Sequence, residues 1–309
     1  MRILITGLNG FVGTHLTRHL AEDPETRVFG LAAGRVPAKH AGAPMMSVDI
    51  SDRRGLERAI ARVEPDAIVH LAGLSHVGES WRRPGDYLQV NFGGTLHLMR
   101  AAGDRTVLFA SSAEVYGQVP EGEQPISEDR PPDPRSPYAM TKACAEKVAL
   151  DHGAIVVRSF NTTGPGQGAH FALPSFSSQL VSIARGESEP VIYVGDLSPR
   201  RDFLHVRDAA RGYAAILRRG GRGEIYNLAS GRSRSIAEAL DELRAISGTS
   251  ARIERDESRV RPVDVPLLTG DITKARALGW APQLDLSAAL ADLWRDALER
   301  AKSAKAETR

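Results

Sequence analysis

A tyrosine and a lysine four residues apart, Tyr138 and Lys142, form the clearest chemical signal in this chain. On a helix this spacing puts both side chains on one face, where the ammonium can lie close to the phenol. We expect the cation to favour the phenolate and to lower the pKa of the tyrosine from its usual value of about 10. Such a phenol can pass a proton to or from an alcohol oxygen while a hydride moves at the attached carbon. By itself the spacing is more typical of a solvated helix face, so the hypothesis needs support elsewhere.

That support comes from a glycine-rich turn near the N-terminus. A short apolar strand is followed by a segment with three glycines and then by an amphipathic helix. We expect Gly7 to permit the tight turn, Gly10 to let a pyrophosphate approach the backbone, and Gly13 to let the helix pack closely on the strand. The spacing Gly-x-x-Gly-x-x-Gly is the variant typical of short-chain dehydrogenases/reductases. The cofactor-binding residues predicted in this turn are Gly7, Asn9, Gly10, Phe11 and Gly13.

Length and composition are those of an ordinary globular protein. A chain of 309 residues has room for one large domain, or for a main domain with a smaller lobe. No apolar run approaches the roughly 20 residues of a membrane span, and the N-terminus shows no signal pattern, so we expect a cytoplasmic protein. A net charge of +2 with mixed signs gives no case for nucleic acid. The single cysteine, Cys144, excludes an internal disulfide and a cysteine-based metal cluster, and no metal site is predicted.

Apolar runs alternate with helical patterns through the first half of the chain. The predicted strands are 2–6, 27–31, 45–48, 67–71, 106–110 and 154–157, and the predicted helices are 14–21, 53–63, 85–102 and 137–151. This βαβ alternation predicts an α/β protein with a doubly wound parallel sheet of the Rossmann type, covered by helices on both faces.

From about residue 161 the pattern becomes irregular and rich in glycine, proline and serine. Short elements are predicted at 174–186, 190–194, 206–219, 235–247 and 287–300. We interpret the regions 161–202 and 230–300 as a smaller α/β substrate-binding lobe, and 1–160 as the core, completed by roughly 203–229. The tail 301–309, rich in lysine, alanine and glutamate, is predicted to be disordered.

The residue after the second strand of such a sheet distinguishes the two nicotinamide dinucleotides. An acid there selects NAD, whereas arginine accommodates the 2′-phosphate of NADP. Small residues and Arg35 occupy this place, so we expect NADP(H), with NAD(H) as the alternative. We expect Asp49 to accept from the adenine amino group and Ile50 to pack on the ring, although Asp49 also suits an ordinary turn or helix cap. Three more residues should line the crevice at the carboxyl ends of the strands: Leu71, Ala72 and Gly73.

Together these motifs resemble the extended short-chain dehydrogenase/reductase family that acts on nucleotide sugars, over nearly the whole chain. The matching segments are the glycine turn, 70–73, 91–95, 111–117 and the Tyr-x-x-x-Lys pair. Further segments, 158–167, 201–208 and 261–275, are most similar to the GDP-mannose branch of that family. Within the branch, the sequence Asn-x-x-Gly-Pro-Gly-Gln that begins at Asn161 resembles the GDP-6-deoxy-4-keto-mannose reductases that make GDP-rhamnose.

The segment around Ser112 bears on which reaction of this branch the chain performs. A 4,6-dehydratase must also remove a proton at C5 and expel the C6 hydroxyl, which takes a further base and acid. Glu114 suits that base, but Ala113 stands where dehydratases of dTDP-glucose place aspartic acid and those of GDP-mannose place serine. A 4-ketoreductase needs only Ser112 to hydrogen-bond the carbonyl oxygen, Tyr138 to protonate it, and Lys142 to tune the tyrosine and hold the nicotinamide ribose. We therefore predict a 4-ketoreductase; Glu114 is equally suited to a structural role.

The resemblance also implies where a GDP-sugar substrate binds. Its diphosphate is matched by planar guanidinium groups, for which Arg201 and Arg261 are the candidates. Asn161 is suited to bind the sugar or the diphosphate, and a helix that includes 174–179 is expected over the nucleotide. Guanine as the base is implied by the resemblance alone.

Other assignments stay open at this point. The chain also fits a GDP-mannose 4,6-dehydratase, a nucleotide-sugar 4-epimerase that holds NAD tightly, or a non-catalytic dinucleotide sensor. The intact Ser112, Tyr138 and Lys142 argue against the sensor, because such sensors commonly lose the tyrosine. By resemblance we expect a homodimer whose four-helix interface is formed by 85–102 and 137–151.

Overall fold

The centre of the molecule is an eight-stranded sheet with the strand order β11-β7-β6-β5-β1-β2-β4-β3. The computed structural model describes residues 1–260 and 265–307. The strands are β1 Arg2–Thr6, β2 Arg27–Ala32, β3 Lys39–His40, β4 Ala43–Ser47, β5 Ala67–His70, β6 Thr106–Ser112, β7 Ile155–Ser159, β8 Asn161–Thr163, β9 Val191–Val194, β10 Arg200–His205, β11 Ile225–Leu228, β12 Ser233–Ser235, β13 Arg252–Arg255 and β14 Leu267–Leu268. Within the large sheet every pair is parallel except β3 with β4. The predicted doubly wound Rossmann sheet is confirmed.

Helices cover both faces of this sheet. They are α1 Phe11–Leu20, α2 Arg53–Val63, α3 Val77–Ser80, α4 Pro84–Tyr87, α5 Gly94–Ala102, α6 Pro137–Asp151, α7 Ala172–Ala184, α8 Val206–Arg219, α9 Ile236–Ser247, α10 Thr273–Ala277 and α11 Leu286–Glu307. Successive residues of a strand point to opposite faces, and β1 shows the result: Ile3 and Ile5 enter one core cluster, whereas Leu4 enters the other. A strand buried on both faces appears in the sequence as a continuous apolar run. The alternation of strands with helices could therefore be predicted from the sequence.

One predicted helix, 85–102, is interrupted by a different helical form. The chain passes from α4 through a π-helical turn, Leu88–Gly93, into α5. A π-turn inserts one extra residue per turn and changes which side chains face inward, and such turns often occur at functional sites. Periodicity alone gave no sign of it.

A smaller region packs beside the carboxyl ends of the sheet strands. Its core is formed by α7, α9 and α11 together with β9, which pairs with the more exposed strand β13. A second small sheet contains β12, β10 and β14, and β8 pairs with β10. Strand β8 follows β7 after one residue, so the small sheet begins directly at the edge of the large one.

The last helix, α11, continues to Glu307. The expected disordered tail at 301–309 is therefore wrong as far as Glu307, because alanine, lysine and glutamate extend a preceding helix readily. Within the described part of the chain, no helix is both long and apolar enough to span a membrane.

Candidate active site

Two hydroxyl groups meet where β6 ends and α6 begins. Ser112 is the last residue of β6, and its side chain accepts a hydrogen bond from the backbone N–H of Glu114 at 3.2 Å. Tyr138 lies in the first turn of α6, where Ser136 caps the helix by accepting from the N–H of Ala139 at 3.1 Å. The Ser112 hydroxyl lies close enough to Tyr138 to affect the acidity of its phenol. The structure thus brings together two of the predicted catalytic residues.

Burial, and not the lysine, dominates the acidity of this tyrosine. Tyr138 is only 9% exposed, and burial raises the pKa of its phenol above the usual value. The Ser112 hydroxyl opposes that rise in pKa, whereas the carboxylate of Glu114 adds to it. The predicted lowering of the Tyr138 pKa is therefore wrong for the protein alone, because desolvation outweighs any nearby cation.

Lys142 lies one turn further along α6, and its ammonium points to the end of β6. It donates to the backbone carbonyl of Ala110 and lies 4.4 Å from the centre of the Phe109 ring. Burial lowers the pKa of Lys142 to about 8, and the carboxylate of Glu146 opposes that shift. The lysine is thus held at the carboxyl edge of the sheet, behind the tyrosine, as a cation that is easily deprotonated.

A buried ion pair that was not predicted from the sequence lies next to Lys142. Glu146, one turn after Lys142, accepts from the Ser111 hydroxyl at 2.7 Å and pairs with the guanidinium of Arg158 at 2.5 Å. Both charged side chains are at most 3% exposed. The Arg158 guanidinium also stacks 4.6 Å from the centre of the Tyr116 ring. The glutamate at i+4 from the lysine was the available signal, but its arginine partner lies outside the helix, on β7.

The glycine turn is tight and closely packed, as its three glycines predicted. Gly7 has a φ of +71°, and an added Cβ at Gly13 would lie 2.4 Å from the Gly7 carbonyl oxygen. Helix α1 begins at Phe11 with Gly10 as N-cap, without a capping side chain and without an acid in the first turn. Its first N–H groups are therefore available to an anion. Asn9 is exposed in the same turn.

The turn also meets the segment that follows β5. An added Cβ at Gly7 would lie 2.9 Å from both the Cα and the N of Ala72, so the two backbones touch. Leu71 and Ala72 are half-buried, and Gly73 is exposed. The structure thus brings the predicted crevice residues against the glycine turn.

A buried histidine, His70, which was not predicted as a site residue, links β1, β5 and α5 through a relay of hydrogen bonds. Nδ1 of His70 lies 2.7 Å from the Thr6 hydroxyl, and Nε2 lies 3.0 Å from the Thr95 hydroxyl. Thr6 also accepts from the N–H of Ala72 at 3.2 Å, and Thr95 donates to the carbonyl of Asn91 at 2.5 Å. Burial, together with the charge of Lys142, lowers the pKa of His70 to about 3, so the ring is neutral. A neutral ring that accepts at Nδ1 and donates at Nε2 satisfies every bond in the relay.

Asn91, in the π-helical turn, links the crevice to the catalytic helix. Its amide accepts from the backbone N–H of Leu74 at 2.8 Å and donates to the Leu74 carbonyl at 3.0 Å. It also donates to the Thr141 hydroxyl at 3.2 Å. Asn91 therefore positions the loop after β5 relative to the helix that carries Tyr138.

The residues predicted for the adenosine end lie at the ends of β2 and β4. Arg35 is exposed and makes no hydrogen bond or ion pair with any residue that the structure describes. Asp49 accepts from the N–H and the hydroxyl of Ser51, both at 2.8 Å. Ile50 is only 6% exposed and packs against Gly94, where an added Cβ would lie 2.7 Å from its side chain. Asp49 thus forms the ordinary turn considered above, and contact of either residue with adenine stays a prediction.

A cleft of about 840 Å³ lies between the loop that enters α3 and the smaller region. Asn161 and Arg201 line it, as expected for substrate contacts. The Asn161 amide makes no hydrogen bond within the described residues, whereas Arg201 is 3% exposed and donates to the Arg200 carbonyl at 2.9 Å. Arg261, the other predicted diphosphate ligand, lies outside the described residues.

The cleft does not reach Tyr138 directly, but an aromatic contact connects them. Tyr87 donates to the carbonyl of His76, a residue that lines the cleft, at 2.6 Å. The ring of Tyr87 meets the ring of Tyr138 edge to face, with 6.3 Å between their centres. The α3 side of the cleft is therefore the side nearest the catalytic hydroxyls.

Comparison with known proteins agrees with this geometry. The family described as GDP-mannose 4,6 dehydratase matches residues 4–293. A GDP-6-deoxy-D-mannose reductase of Pseudomonas aeruginosa is 34% identical over 310 residues, covering 96% of each chain.

Two solved structures are similar over nearly their whole length. RMD from Pseudomonas aeruginosa complexed with NADPH has a TM-score of 0.86 at 33% identity, covering 97% of this chain and 99% of that one. The UDP-glucose 4-epimerase of Thermus thermophilus in complex with NAD has a TM-score of 0.86 at 28% identity, covering 96% and 99%. The resemblance to nucleotide-sugar enzymes of the extended short-chain type is confirmed, and the chain belongs to the GDP-mannose 4,6 dehydratase family.

Proposed function

We propose that this protein reduces the 4-keto group of a GDP-4-keto-6-deoxy-hexose with NADPH, giving GDP-rhamnose or a similar GDP-6-deoxyhexose. The observation that carries the proposal is the closeness of Ser112 to Tyr138, with Lys142 one turn further along the same helix and a buried alanine, Ala113, directly after Ser112. Reduction of a ketone needs a hydrogen-bond donor and a proton donor at the carbonyl oxygen, and both are present. The similar reductase and the similar NADPH complex support the same assignment.

The residues of the glycine turn fit a nicotinamide dinucleotide. Side chains at Gly7 and Gly13 would collide with backbone, and the N-terminus of α1 has no capping side chain. The pyrophosphate would lie against these N–H groups, with Arg35 toward a 2′-phosphate and Lys142 toward the nicotinamide ribose. When bound, NADPH supplies the hydride for the carbonyl carbon.

The chain's own groups handle the proton. Because its pKa is raised, Tyr138 is protonated at neutral pH and can donate to the C4 oxygen. Ser112, held by the N–H of Glu114, directs its hydroxyl to the same oxygen. The Lys142 ammonium then lies on the same helix face as the phenolate left behind and stabilises it.

The alternatives to this function differ from it in the first proton transfer. A dehydratase or an epimerase begins by taking a proton from the C4 hydroxyl, which requires phenolate, whereas a ketoreductase begins with a protonated phenol. One observation favours the dehydratase: the carboxylate of Glu114 lies near Tyr138, where a second base would be needed. We therefore keep the dehydratase as the second candidate.

Two incubations distinguish these candidates. GDP-4-keto-6-deoxy-mannose with NADPH should be consumed with oxidation of NADPH, whereas GDP-mannose alone should persist. Absorbance of NADPH and chromatography of the nucleotide sugars measure both. Rapid conversion of GDP-mannose to a 4-keto product would contradict the proposal, and Glu114→Gln should then abolish that conversion. In a pure reductase the same change should be mild.

The proposal includes a homodimer formed through α5, α6 and the helical turns before α5. Leu88 is 54% exposed and Met140 is 56% exposed, and Cys144 is exposed on the same helix as Met140. Apolar side chains exposed on neighbouring helices suit a second copy of the chain. Sedimentation should give a dimer, and Met140→Glu should shift it to monomer. The cytoplasmic location expected from the sequence stays a prediction.

A further inference from the structure

The carboxylate of Glu146 is a buried charge that the proposed proton transfer does not use. Its Oε2 accepts from the Ser111 hydroxyl at 2.7 Å, and the Arg158 guanidinium donates to both of its oxygens at 2.5 to 3.2 Å. Ser111 and Arg158 are opposite one another in the register of β6 with β7, so their side chains point to the same face of the sheet. One carboxylate therefore fastens α6 to two strands near their carboxyl ends.

The place of Ser111 in β6 connects this attachment to the reaction. The residue before it, Ala110, offers the carbonyl that accepts from the Lys142 ammonium, and the residue after it is Ser112. A shift of β6 along α6 would displace both groups. A displacement of about 1 Å in an active site can cost about a hundredfold in rate.

The charge of Glu146 also acts on the buried lysine. Lys142 and Glu146 are four residues apart on α6, which places their side chains on one face of the helix. Burial lowers the pKa of Lys142, and the Glu146 carboxylate opposes that shift. Without the carboxylate, the lysine should lose its proton at a lower pH.

We propose that Glu146 is a positioning residue of this active site. Through Ser111 its carboxylate holds Ser112 in place. Its negative charge balances the Lys142 ammonium, which stabilises the phenolate formed on Tyr138. This inference rests on the proposed function, because it adds a residue to that same reaction.

The groups that surround these residues leave Lys142 as the one to follow between pH 7 and 10. Titratable groups of the described chain that act on Lys142, Glu146 or Tyr138 from other elements are His70 on β5, Glu114 after β6, Arg158 on β7, Tyr87 on α4 and Tyr213 on α8. Burial lowers the pKa of His70 to about 3 and raises those of Tyr87 and Tyr213 to about 12. Despite burial, hydrogen bonds to Glu146 raise the pKa of Arg158 from its already high value. Glu114 is the same in every variant considered.

The first experiment removes the charge of Glu146. Glu146→Gln keeps an oxygen that can accept from Ser111, and Glu146→Gln/Arg158→Gln does so without leaving an unpaired buried cation, so that one variant folds if the other does not. With GDP-4-keto-6-deoxy-mannose and saturating NADPH, we expect the alkaline limb of kcat to move to lower pH by about one unit. A limb that stays at the native pH would overturn the inference.

Unfolding by denaturant without cofactor gives a readout that does not depend on turnover. The folded pKa of Lys142, about 8, lies below the ordinary value of 10.5, so stability rises with pH between the two. In the variants that lack the Glu146 charge, this rise should begin about one unit lower. An unchanged onset would contradict the inference. A native protein that does not reduce the GDP-sugar would refute the proposed function, and this onset would still test the charge of Glu146.

Arg158→Lys is the matched control. It disturbs the same buried pair, because lysine lacks the planar fork of the guanidinium, but it keeps the Glu146 carboxylate and a positive partner. We expect a less stable protein whose alkaline limb of kcat stays at the native pH. A shift equal to that of Glu146→Gln would mean that Glu146 has only a structural role.

Ser111→Ala tests the connection to Ser112. It removes the hydroxyl that Glu146 holds and leaves every charge in place. We expect kcat to fall by about tenfold, with NADPH affinity and the alkaline limb unchanged. A native kcat in this variant would contradict the positioning of Ser112 by Glu146.

Discussion

The cofactor side and the substrate side of this active site are built in different ways. The glycine turn is backbone against backbone: Gly7 touches Ala72, and Gly13 leaves no space for a side chain. The cleft is lined by side chains from loops, short strands and helix ends, among them Asn161, Arg201 and Asp196. The first arrangement tolerates few residue types, whereas the second can change one side chain at a time. This difference explains how similar chains bind NADPH or NAD on one frame and yet act on different nucleotide sugars.

The largest effect is expected at the junction of the two sides. Tyr138→Phe removes the proton donor but keeps the ring, so kcat should fall by about 10² to 10⁴ while NADPH affinity is nearly unchanged. Single-turnover kinetics and a cofactor titration measure the two quantities. Tyr87→Phe is the control, since Tyr87 donates to the His76 carbonyl and is not placed to protonate the substrate. Retention of most activity in Tyr138→Phe would show that another group is the acid.

On the cofactor side, Gly13→Ala should weaken NADPH binding and lower the free energy of unfolding by about 3 kcal/mol. The added methyl would lie 2.4 Å from the Gly7 carbonyl and 2.6 Å from the Leu8 carbonyl, and backbone cannot move aside cheaply. Gly85→Ala is the control, because an added Cβ there meets nothing within 4 Å. Denaturant unfolding and NADPH titration check both variants. Equal behaviour would mean that the turn is less tightly packed than described.

Burial of the Lys142 ammonium should lower the free energy of unfolding, and we expect the residue to be kept for its role in catalysis. Its pKa is lowered from 10.5 to about 8, so between these values the unfolded chain binds the proton and the folded chain does not. Stability from this group therefore rises with pH through that window. Lys142→Met should flatten the rise and add about 2 kcal/mol near pH 7, with loss of turnover and weaker NADPH binding. Unfolding measured from pH 7 to 10.5 tests this, and an unchanged profile would contradict it.

The smallest effect is expected at the rim of the cofactor side. Arg35→Ala should weaken NADPH by about tenfold and leave NADH unchanged, because only NADPH has a 2′-phosphate for the guanidinium. The NADH titration serves as the internal control. A native protein that prefers NADH would remove Arg35 from the cofactor site without affecting the fold.

Local sequence patterns were sufficient to predict the Rossmann sheet, the glycine turn and the helix that carries Tyr138. The glycine spacing, the Tyr138 and Lys142 pair, and the alternation of apolar runs with helices are short-range features, because turns, helix faces and buried strands each depend on a few consecutive residues. The folded chain keeps Ser112, Tyr138 and the glycine turn together at the carboxyl ends of the strands.

Contacts between distant residues were decided by the tertiary structure alone. The pairing of Glu146 with Arg158, and the relay from Thr6 through His70 to Thr95, join different elements, so no local pattern contains them. The same holds for acidity: the spacing of the tyrosine and lysine suggested a lowered phenol pKa, but desolvation by the surrounding fold raises it. Residue types and their spacing determined which groups are available; burial, which depends on the whole chain, decided their protonation and their partners.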